Sequence, residues 1–260
     1  MDPYLYLDRD SIVHRLDPRT KITLMLASFV LGLLFMHPAW SLLALGVVLI
    51  HGAISRSLSN LKRIWFILFM LSTMGTVLWA LFSKGATPFI GPIKLEAFLF
   101  GLGSAIRIDT FIIAGMIFLS TTRNEEMVLG MVRMGVPYRL CFAFSTALRL
   151  VPTITSTAYT ISQAQRSRGL DLDSGNAIQR FRKNIPLVVP TFLSTIRSTN
   201  VFAMALDAKG FGARPKRTSY LRIGLHAADF VFLVIMVILL AAGIALWAMH
   251  FGRIPGLVKF

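Results

Sequence analysis

The run AADFVFLVIMVILLAAGIALWAM, residues 227–249, is long and apolar enough to cross a bilayer as a single helix. A helix needs about 20 apolar residues to span the roughly 30 Å of hydrocarbon. Three further windows have a similar character, at residues 22–54, 64–82 and 97–120. The first of these holds two passes around a break. The sequence therefore predicts an all-α integral membrane protein.

The composition excludes an ordinary soluble domain. Hydrophobic residues make up 55% of the 260 residues and charged residues 15%, whereas soluble domains carry about 25% charged residues. The single cysteine, Cys141, excludes an internal disulfide and any metal or redox motif built from several cysteines. The five histidines are scattered without the close spacing of metal ligands, so no metal site and no bound cofactor is predicted in this chain.

Positive charge is concentrated in one segment. The net charge is +15, and residues 123–222 hold 15 of the 27 basic residues against five acids, a net +10. Because cytoplasmic segments of membrane proteins carry the excess of lysine and arginine, this segment is predicted to face the cytoplasm. Residues 179–183, four polar residues around one aromatic, are predicted to form a loop that faces solvent or lipid headgroups, and they offer no stacking platform, so nucleic acid is rejected as a partner.

The order of apolar and basic segments predicts about five transmembrane helices. His37 and Pro38 interrupt the first window, because proline lacks an amide donor and disfavours helix in the residue before it. The glycine- and proline-rich residues 85–92 are predicted to form an external loop of turns. The N-terminus then lies in the cytoplasm and the C-terminus outside.

Three parts follow from this topology. Residues 1–122 hold transmembrane helices 1–4, residues 123–225 form a cytoplasmic domain of long amphipathic helices, and residues 226–260 hold the last transmembrane helix and an external tail. Within the cytoplasmic domain we predict helices at 125–134, 138–168 and 190–209, separated at 135–137 and 171–186.

Two charges lie inside the fourth predicted crossing, at Arg107 and Asp109. Buried intramembrane charges cost about 2.5–3.5 kcal/mol each on insertion scales unless they are paired or face a polar interior. Each residue either binds a partner on a neighbouring helix and supports packing, or lines a path for substrate or protons. The sequence leaves both interpretations open.

An approximate repeat ends two of the predicted cytoplasmic helices. Ser167, Arg168 and Gly169 end the first, and Ala208, Lys209 and Gly210 end the second, 41 residues later. Glycine just past a helix takes the left-handed conformation without a Cβ penalty, and a cation in the last turn complements the helix dipole. One such end is unremarkable, but two in the same basic segment indicate a shared role.

With these motifs the chain resembles the transmembrane (T) subunits of energy-coupling-factor (ECF) transporters, the EcfT/CbiQ family of ABC-type importers. The hallmark of that family is a pair of Ala-Arg-Gly motifs that end two cytoplasmic coupling helices. Ser167 and Lys209 depart from the pattern, standing where the family has alanine and arginine. The likeness extends over most of the chain, through residues 14–21, 120–122, 135–137 and 147–152.

The resemblance implies a non-catalytic scaffold in the cell membrane that joins two ABC ATPase subunits, identical or different, to a substrate-binding (S) membrane subunit. ATP and magnesium would then be bound by the ATPases, and the transporter would take up a vitamin or a metal such as cobalt or nickel. In agreement, the sequence has no Gly-x-x-x-x-Gly-Lys-Ser/Thr phosphate loop.

Two other classes of protein compete with this scaffold as interpretations of the sequence. A stand-alone secondary transporter or channel would bind solute at Arg107 and Asp109, and it would show inverted repeats or discontinuous helices that the sequence lacks. A membrane-embedded enzyme would need acids, bases or nucleophiles clustered near the bilayer, and the twelve acids do not cluster in that way. The scaffold is the favoured interpretation.

Overall fold

The computed structural model describes residues 11–83, 87–90, 93–171, 174–213 and 224–249. Helices dominate these residues, and the predicted all-α membrane class is confirmed. A small antiparallel hairpin of β1 (Pro88–Ile90) and β2 (Ile93–Lys94) lies in the loop that was predicted to contain turns. The helices are α1 (Pro18–Leu34), α2 (Pro38–Ile54), α3 (Leu61–Phe82), α4 (Leu95–Thr121), α5 (Asn124–Arg133), α6 (Tyr138–Ser167), α7 (Ala177–Ala208) and α8 (Ala227–Ala248).

Three helices of the described residues have the length and hydropathy of a membrane span. They are α3 with the short 3-10 turn before it (Ser57–Phe82), α4 and α8. Both α1 and α2 have 17 residues, which at 1.5 Å per residue gives about 26 Å. Their assignment as the first two of five crossings stays a prediction.

The chain forms two compact units. One comprises residues 1–136 and 223–260, and the other residues 137–222. In the first unit α5 packs on α1, and in the second α6 packs on α7. The domain boundaries at residues 123 and 225 remain predictions, and the tail from residue 250 onward lies outside the described residues.

Helix α4 is the centre of the first unit, where it packs against α1, α2 and α3. Ile113, Ala114 and Ile117 of α4 are buried in a cluster with Val48 of α2 and Leu68 of α3. A second cluster joins α1 to α8 and includes Val13, Leu16, Leu24, Ala27, Leu31 and Met236. Together the two clusters join the five apolar helices α1, α2, α3, α4 and α8.

The predicted break between the first two passes is confirmed. Helix α1 ends at Leu34, and α2 begins at Pro38 after His37, whose ring nitrogen accepts a hydrogen bond from the Ala39 amide. Proline fits here because the first amides of a helix lack intrahelical partners in any case.

The charges of α4 each bind a group on a neighbouring element. The Arg107 guanidinium donates to the Phe35 carbonyl at 2.7 Å, at the residue that caps α1. The carboxylate of Asp109 accepts a hydrogen bond from the Ser72 hydroxyl on α3. These contacts favour the packing interpretation of both residues.

Lys21 joins three elements at one end of this unit. Its ammonium, 3% exposed, donates to the His14 carbonyl and to the Thr121 carbonyl, each at 2.8 Å. It also lies 3.7 Å from a carboxylate oxygen of Glu126 on α5. Since Thr121 is the last residue of α4, Lys21 satisfies a carbonyl that the helix itself leaves without a partner.

Asp229 joins the first and last helices. It is fully buried, and its carboxylate accepts from the Asp17 amide at 2.8 Å and from the His226 amide at 2.7 Å. The second bond closes a capping box at the start of α8. The first bond joins α8 to Asp17, the N-cap of α1, across 212 positions of sequence.

The prediction for the start of α7 was wrong. This helix begins at Ala177 rather than at residue 190, and the presumed loop at residues 179–183 belongs to it. The side chain of Gln179 bonds the Asn176 amide in a capping box, which starts the helix early. Pro186 and Pro190 lie inside the helix, although prolines usually mark a boundary.

We predict that Asp229→Leu destabilises the folded chain. The substitution leaves the Asp17 and His226 amides without their acceptor, at about 1–3 kcal/mol for each orphaned donor. Asp229→Asn keeps one acceptor oxygen and should cost less. Thermal unfolding of the purified protein in detergent measures the order, with Phe230→Leu at the neighbouring exposed position as control. Equal stability of all variants would contradict the assigned bonds.

Two glycines of α4 allow a matched test of how closely this helix packs on its neighbours. A Cβ on Gly103 would collide with the Met36 carbonyl oxygen, whereas a Cβ on Gly115 would meet nothing within 4 Å. We expect Gly103→Ala to destabilise the protein by about 1–3 kcal/mol through overpacking. Gly115→Ala should raise stability by up to about 1 kcal/mol, since alanine is the better helix former. The same unfolding assay checks both signs.

Candidate functional site

The first predicted motif forms the end of α6. Ser167 is the last helical residue, Arg168 caps the helix and Gly169 has φ +88°. The Gly169 amide donates to the Arg166 carbonyl at 2.9 Å, and the Leu170 amide donates to the Gln165 carbonyl at 3.0 Å. This pair of bonds is a Schellman motif, which satisfies carbonyls that the helix end leaves free.

The second motif repeats this backbone geometry at the end of α7. Ala208 is the last helical residue, Lys209 caps the helix and Gly210 has φ +70°. The Gly210 amide donates to the Asp207 carbonyl and the Phe211 amide to the Leu206 carbonyl, each at 2.9 Å. The sequence repeat is therefore a repeat of structure.

In both motifs the conformation explains the residue types. A left-handed residue other than glycine costs roughly 1–2 kcal/mol, which accounts for Gly169 and Gly210. Ser167, where the family has alanine, donates its hydroxyl to the Gln163 carbonyl one turn earlier at 3.1 Å. The serine is thus satisfied within its own helix and leaves the surface beside Arg168 as small as alanine would.

The two cations are presented to the surroundings. Arg168 and Lys209 are both exposed, and neither forms an ion pair with another residue in the part of the chain that the structure describes. An exposed cation next to helix carbonyls on a fixed backbone can bind a carboxylate of another protein.

The surroundings of the two motifs differ. After the first, Lys183 of α7 holds the connecting loop, donating to the Ser174 carbonyl at 3.1 Å and to its hydroxyl at 2.8 Å, with Asp171 at 3.9 Å. After the second, the Phe211 ring packs on Phe142 of α6 with ring centroids 4.3 Å apart. The first motif has a polar support and the second an aromatic one.

The second unit places its motifs at opposite ends of a helix pair. A short loop joins the end of α6 to the start of α7, and Phe211, just past α7, contacts Tyr138 and Phe142 at the start of α6. The two helices therefore run antiparallel. Helix α6 has 30 residues, so the motifs lie roughly 40 Å apart.

Sequence reasoning missed the supports of both motifs. A hydrophobic residue two positions past a Schellman cap commonly packs on a nearby helix, so Phe211 was open to prediction. The bonds of Lys183 were not, because residues 179–183 were taken for a loop. Among the described residues no group of three or more His, Cys, Asp or Glu side chains could hold a metal ion.

The chain as a whole matches a known protein family. The family model described as cobalt transport protein (CbiQ) matches residues 9–220. An energy-coupling factor transporter transmembrane protein EcfT from Lacticaseibacillus paracasei is 32% identical, covering 87% of this chain and 90% of the relative. The protein of the same name from Streptococcus equi subsp. equi is 28% identical, covering 90% and 92%.

Another relative is much longer than this chain. A Bifidobacterium longum protein whose name describes an ABC transporter ATP-binding protein is 31% identical over 91% of this chain, which spans 32% of the relative's length. In that protein, the region similar to this chain is part of a longer polypeptide. Because the family model covers most of the sequence and the EcfT relatives match nearly end to end, this chain belongs to the CbiQ family, which it shares with the EcfT transmembrane proteins.

Proposed function

We propose that this chain is the transmembrane scaffold of an energy-coupling-factor importer, which transmits ATP hydrolysis in two ATPase subunits to a substrate-binding membrane subunit. The observation that carries the proposal is the pair of exposed cations on identical helix caps, Arg168 and Lys209. Since they lie roughly 40 Å apart, a single groove cannot accommodate both. Two ATPase subunits, one for each motif, fit this arrangement.

Nucleotide chemistry is assigned to the partners. The sequence contains no phosphate loop of its own, so ATP and magnesium would bind to the ATPases, and this chain would be non-catalytic. The Bifidobacterium relative supports the association, because its name describes an ATP-binding protein and a third of its length matches this chain. The two ATPases are either identical or different.

The substrate-binding subunit is assigned to the apolar faces of the second unit. Large apolar side chains of α6 and α7 remain exposed there, including Val151, Tyr159, Val188, Phe192, Val201 and Met204. Exposed apolar patches of this kind mark contacts with other proteins or with lipid. A membrane partner on this face would be tilted when the ATPases move the two helix ends, and would carry a vitamin or a metal ion such as cobalt or nickel.

The orientation follows from charge. Residues 123–222 carry a net +10, which favours a cytoplasmic location for both motifs and for the N-terminus in the cell membrane. The alternative of a stand-alone transporter or channel needs Arg107 and Asp109 for solute. Their bonds to Phe35 and Ser72 favour a packing role for both residues and weaken that alternative.

We predict that a cysteine at Ser174 reacts with a membrane-impermeant maleimide from the cytoplasmic side alone. Ser174 is exposed, and the native Cys141 is buried and should remain silent. A cysteine at Ala86 should react from outside, and one at Ser219 from the cytoplasm. Both of these positions lie outside the described residues. Labelling of Ser174→Cys from outside would refute the proposed coupling role.

We predict that Arg168→Ala weakens ATPase binding by roughly 2–5 kcal/mol, the usual cost of truncating one partner of a buried interfacial charge pair. The measurement is the affinity of purified ATPase for the full chain in nanodiscs. Arg197→Ala is the matched control, because Arg197 is exposed in the same unit and lies in the interior of α7, several turns from either motif. Equal affinity of Arg168→Ala and wild type would exclude Arg168 from docking.

Lys209 tests whether the ATPases are identical. An ammonium cannot reproduce the planar fork that arginine offers to a carboxylate. With identical ATPases, Lys209→Arg should strengthen the weaker contact by about 1 kcal/mol, and Lys209→Ala should cost less than Arg168→Ala. With two different ATPases, Lys209→Arg should bring little gain. If Lys209→Ala lost neither ATPase binding nor coupled transport, the second motif would be a capped helix end without a role in docking.

A further inference from the structure

The two motifs carry opposite charges at one position. Two residues before each capping cation, the first motif has Arg166 and the second has Asp207. Residues 164–170 therefore contain two arginines and no acid, whereas residues 205–211 contain one lysine and one aspartate. The end of α7 thus carries a positive and a negative charge close together, and the end of α6 does not.

The backbone makes the two positions equivalent. The Arg166 carbonyl accepts from the Gly169 amide, and the Asp207 carbonyl accepts from the Gly210 amide, each at 2.9 Å. Each of the two residues is the last but one of its helix, so each side chain starts from the same point of a Schellman motif. The charge at this point distinguishes two helix ends whose backbones match.

Asp207 lies at a position that a helix disfavours for an acid. The C-terminal end of a helix is the negative pole of its dipole, which stabilises cations and opposes carboxylates. Asp207 is exposed in the last turn of α7, and within the described part of the chain its carboxylate has neither an ion pair nor a hydrogen bond. A carboxylate at this helix end is therefore better explained by a partner molecule than by the stability of the fold.

Asp207 and Lys209 together define the surface that fits the second motif. Such a surface offers a carboxylate to Lys209 and a cationic side chain to Asp207, since charges across an interface are arranged to be complementary. A purely acidic surface would place a like charge against Asp207, which discriminates against that partner. The first motif lacks this restriction, because the nearest acid after it, Asp171, lies 3.9 Å from the Lys183 ammonium.

We infer that Asp207 sets the specificity of the second motif: its carboxylate binds a cationic side chain of the ATPase that docks there, and it repels a purely acidic surface. The inference rests on the proposed function, because it requires an ATPase at each motif. It adds that the two docking surfaces differ in charge, so an ATPase surface fitted to Arg168 is a poor match for the end of α7. The pair of ATPases is then held in one orientation on the scaffold.

The test measures the affinity of the purified ATPase pair for the full chain in nanodiscs. Asp207→Asn removes the charge but keeps the size of the side chain, and it should weaken binding about tenfold, since one charge pair across the interface is lost. Asp207→Arg gives the second motif the charges of the first, and it should weaken binding about a hundredfold or more, because like charges then face each other. Both losses should shrink as salt is added.

A purely acidic groove around Lys209 gives the opposite sign. Removing the carboxylate of Asp207 would then relieve a repulsion, and Asp207→Asn would bind the ATPase pair as tightly as wild type or more tightly. Either of these results would overturn the inference. The direction of the change in affinity is therefore decisive.

The stoichiometry of binding tests the discrimination between surfaces. Each ATPase subunit is purified separately and mixed with the full chain, and the mass of the complex counts the bound copies. The subunit whose affinity falls with Arg168→Ala is the one docked at the first motif. We expect one copy of this subunit on wild type and a second copy on Asp207→Arg. Two copies on wild type, or one copy on both proteins, would contradict the role assigned to Asp207.

The matched control for net charge is Ser194→Lys, which adds one positive charge, as Asp207→Asn does. Ser194 is exposed in the interior of α7, and it lies roughly 20 Å along the helix from Asp207. Affinity for the ATPase pair should stay within about twofold of wild type, since salt screens charges at this separation. A loss equal to that of Asp207→Asn would show that the net charge of the unit determines binding, and the inference would fail.

Two further measurements separate the inference from the proposal on which it rests. Arg168→Ala and Lys209→Ala are measured beside the Asp207 variants, and if neither changes ATPase binding, the proposed docking itself fails. If both weaken binding and Asp207→Asn does not, docking stands and only the role of Asp207 is removed. Asp207→Asn should unfold in detergent at the wild-type temperature or above it, because the helix end loses an unfavourable charge.

Discussion

A polar backbone group that enters hydrocarbon must find its partner inside the protein, and the first unit depends on this constraint. Helix interiors meet it by themselves, but helix ends do not. Three charged side chains of this unit bond such ends. Lys21 bonds the last carbonyl of α4, Arg107 bonds the carbonyl that caps α1, and Asp229 accepts the amides of Asp17 and His226. These charges complete hydrogen bonding that the apolar helices leave open, and they fix which helix ends lie together.

The second unit uses its helix ends in the opposite way. Its two Schellman caps satisfy the terminal carbonyls with backbone amides, so Arg168 and Lys209 are not needed for that purpose and remain exposed. Glycines 169 and 210 make this possible, because they accept positive φ. At its helix ends the first unit thus uses charges inside the fold, whereas the second unit presents the cations of its two motifs outward.

The two exposed motifs have the same backbone conformation, but different contacts hold the segment that follows each of them. The first is followed by a loop that Lys183 holds through Ser174 and Asp171, and the second by Phe211 packed on Phe142. Polar bonds on the surface exchange with water more readily than a packed aromatic pair. The difference in support adds to the difference between arginine and lysine, so the two ends of the helix pair present unequal surfaces to the partners proposed to dock there.

The sequence by itself determined the membrane class, the break at Pro38, the helix ends at Arg168 and Lys209 and the family, because hydropathy, proline and glycine act through local chemistry. It misplaced the start of α7, where prolines at 186 and 190 suggested a boundary and the Asn176 capping box decided otherwise. It also left Arg107 and Asp109 with two interpretations. Tertiary structure alone decided their partners and the bond between Asp17 and Asp229, since contacts between residues 212 positions apart leave no periodic trace in a sequence.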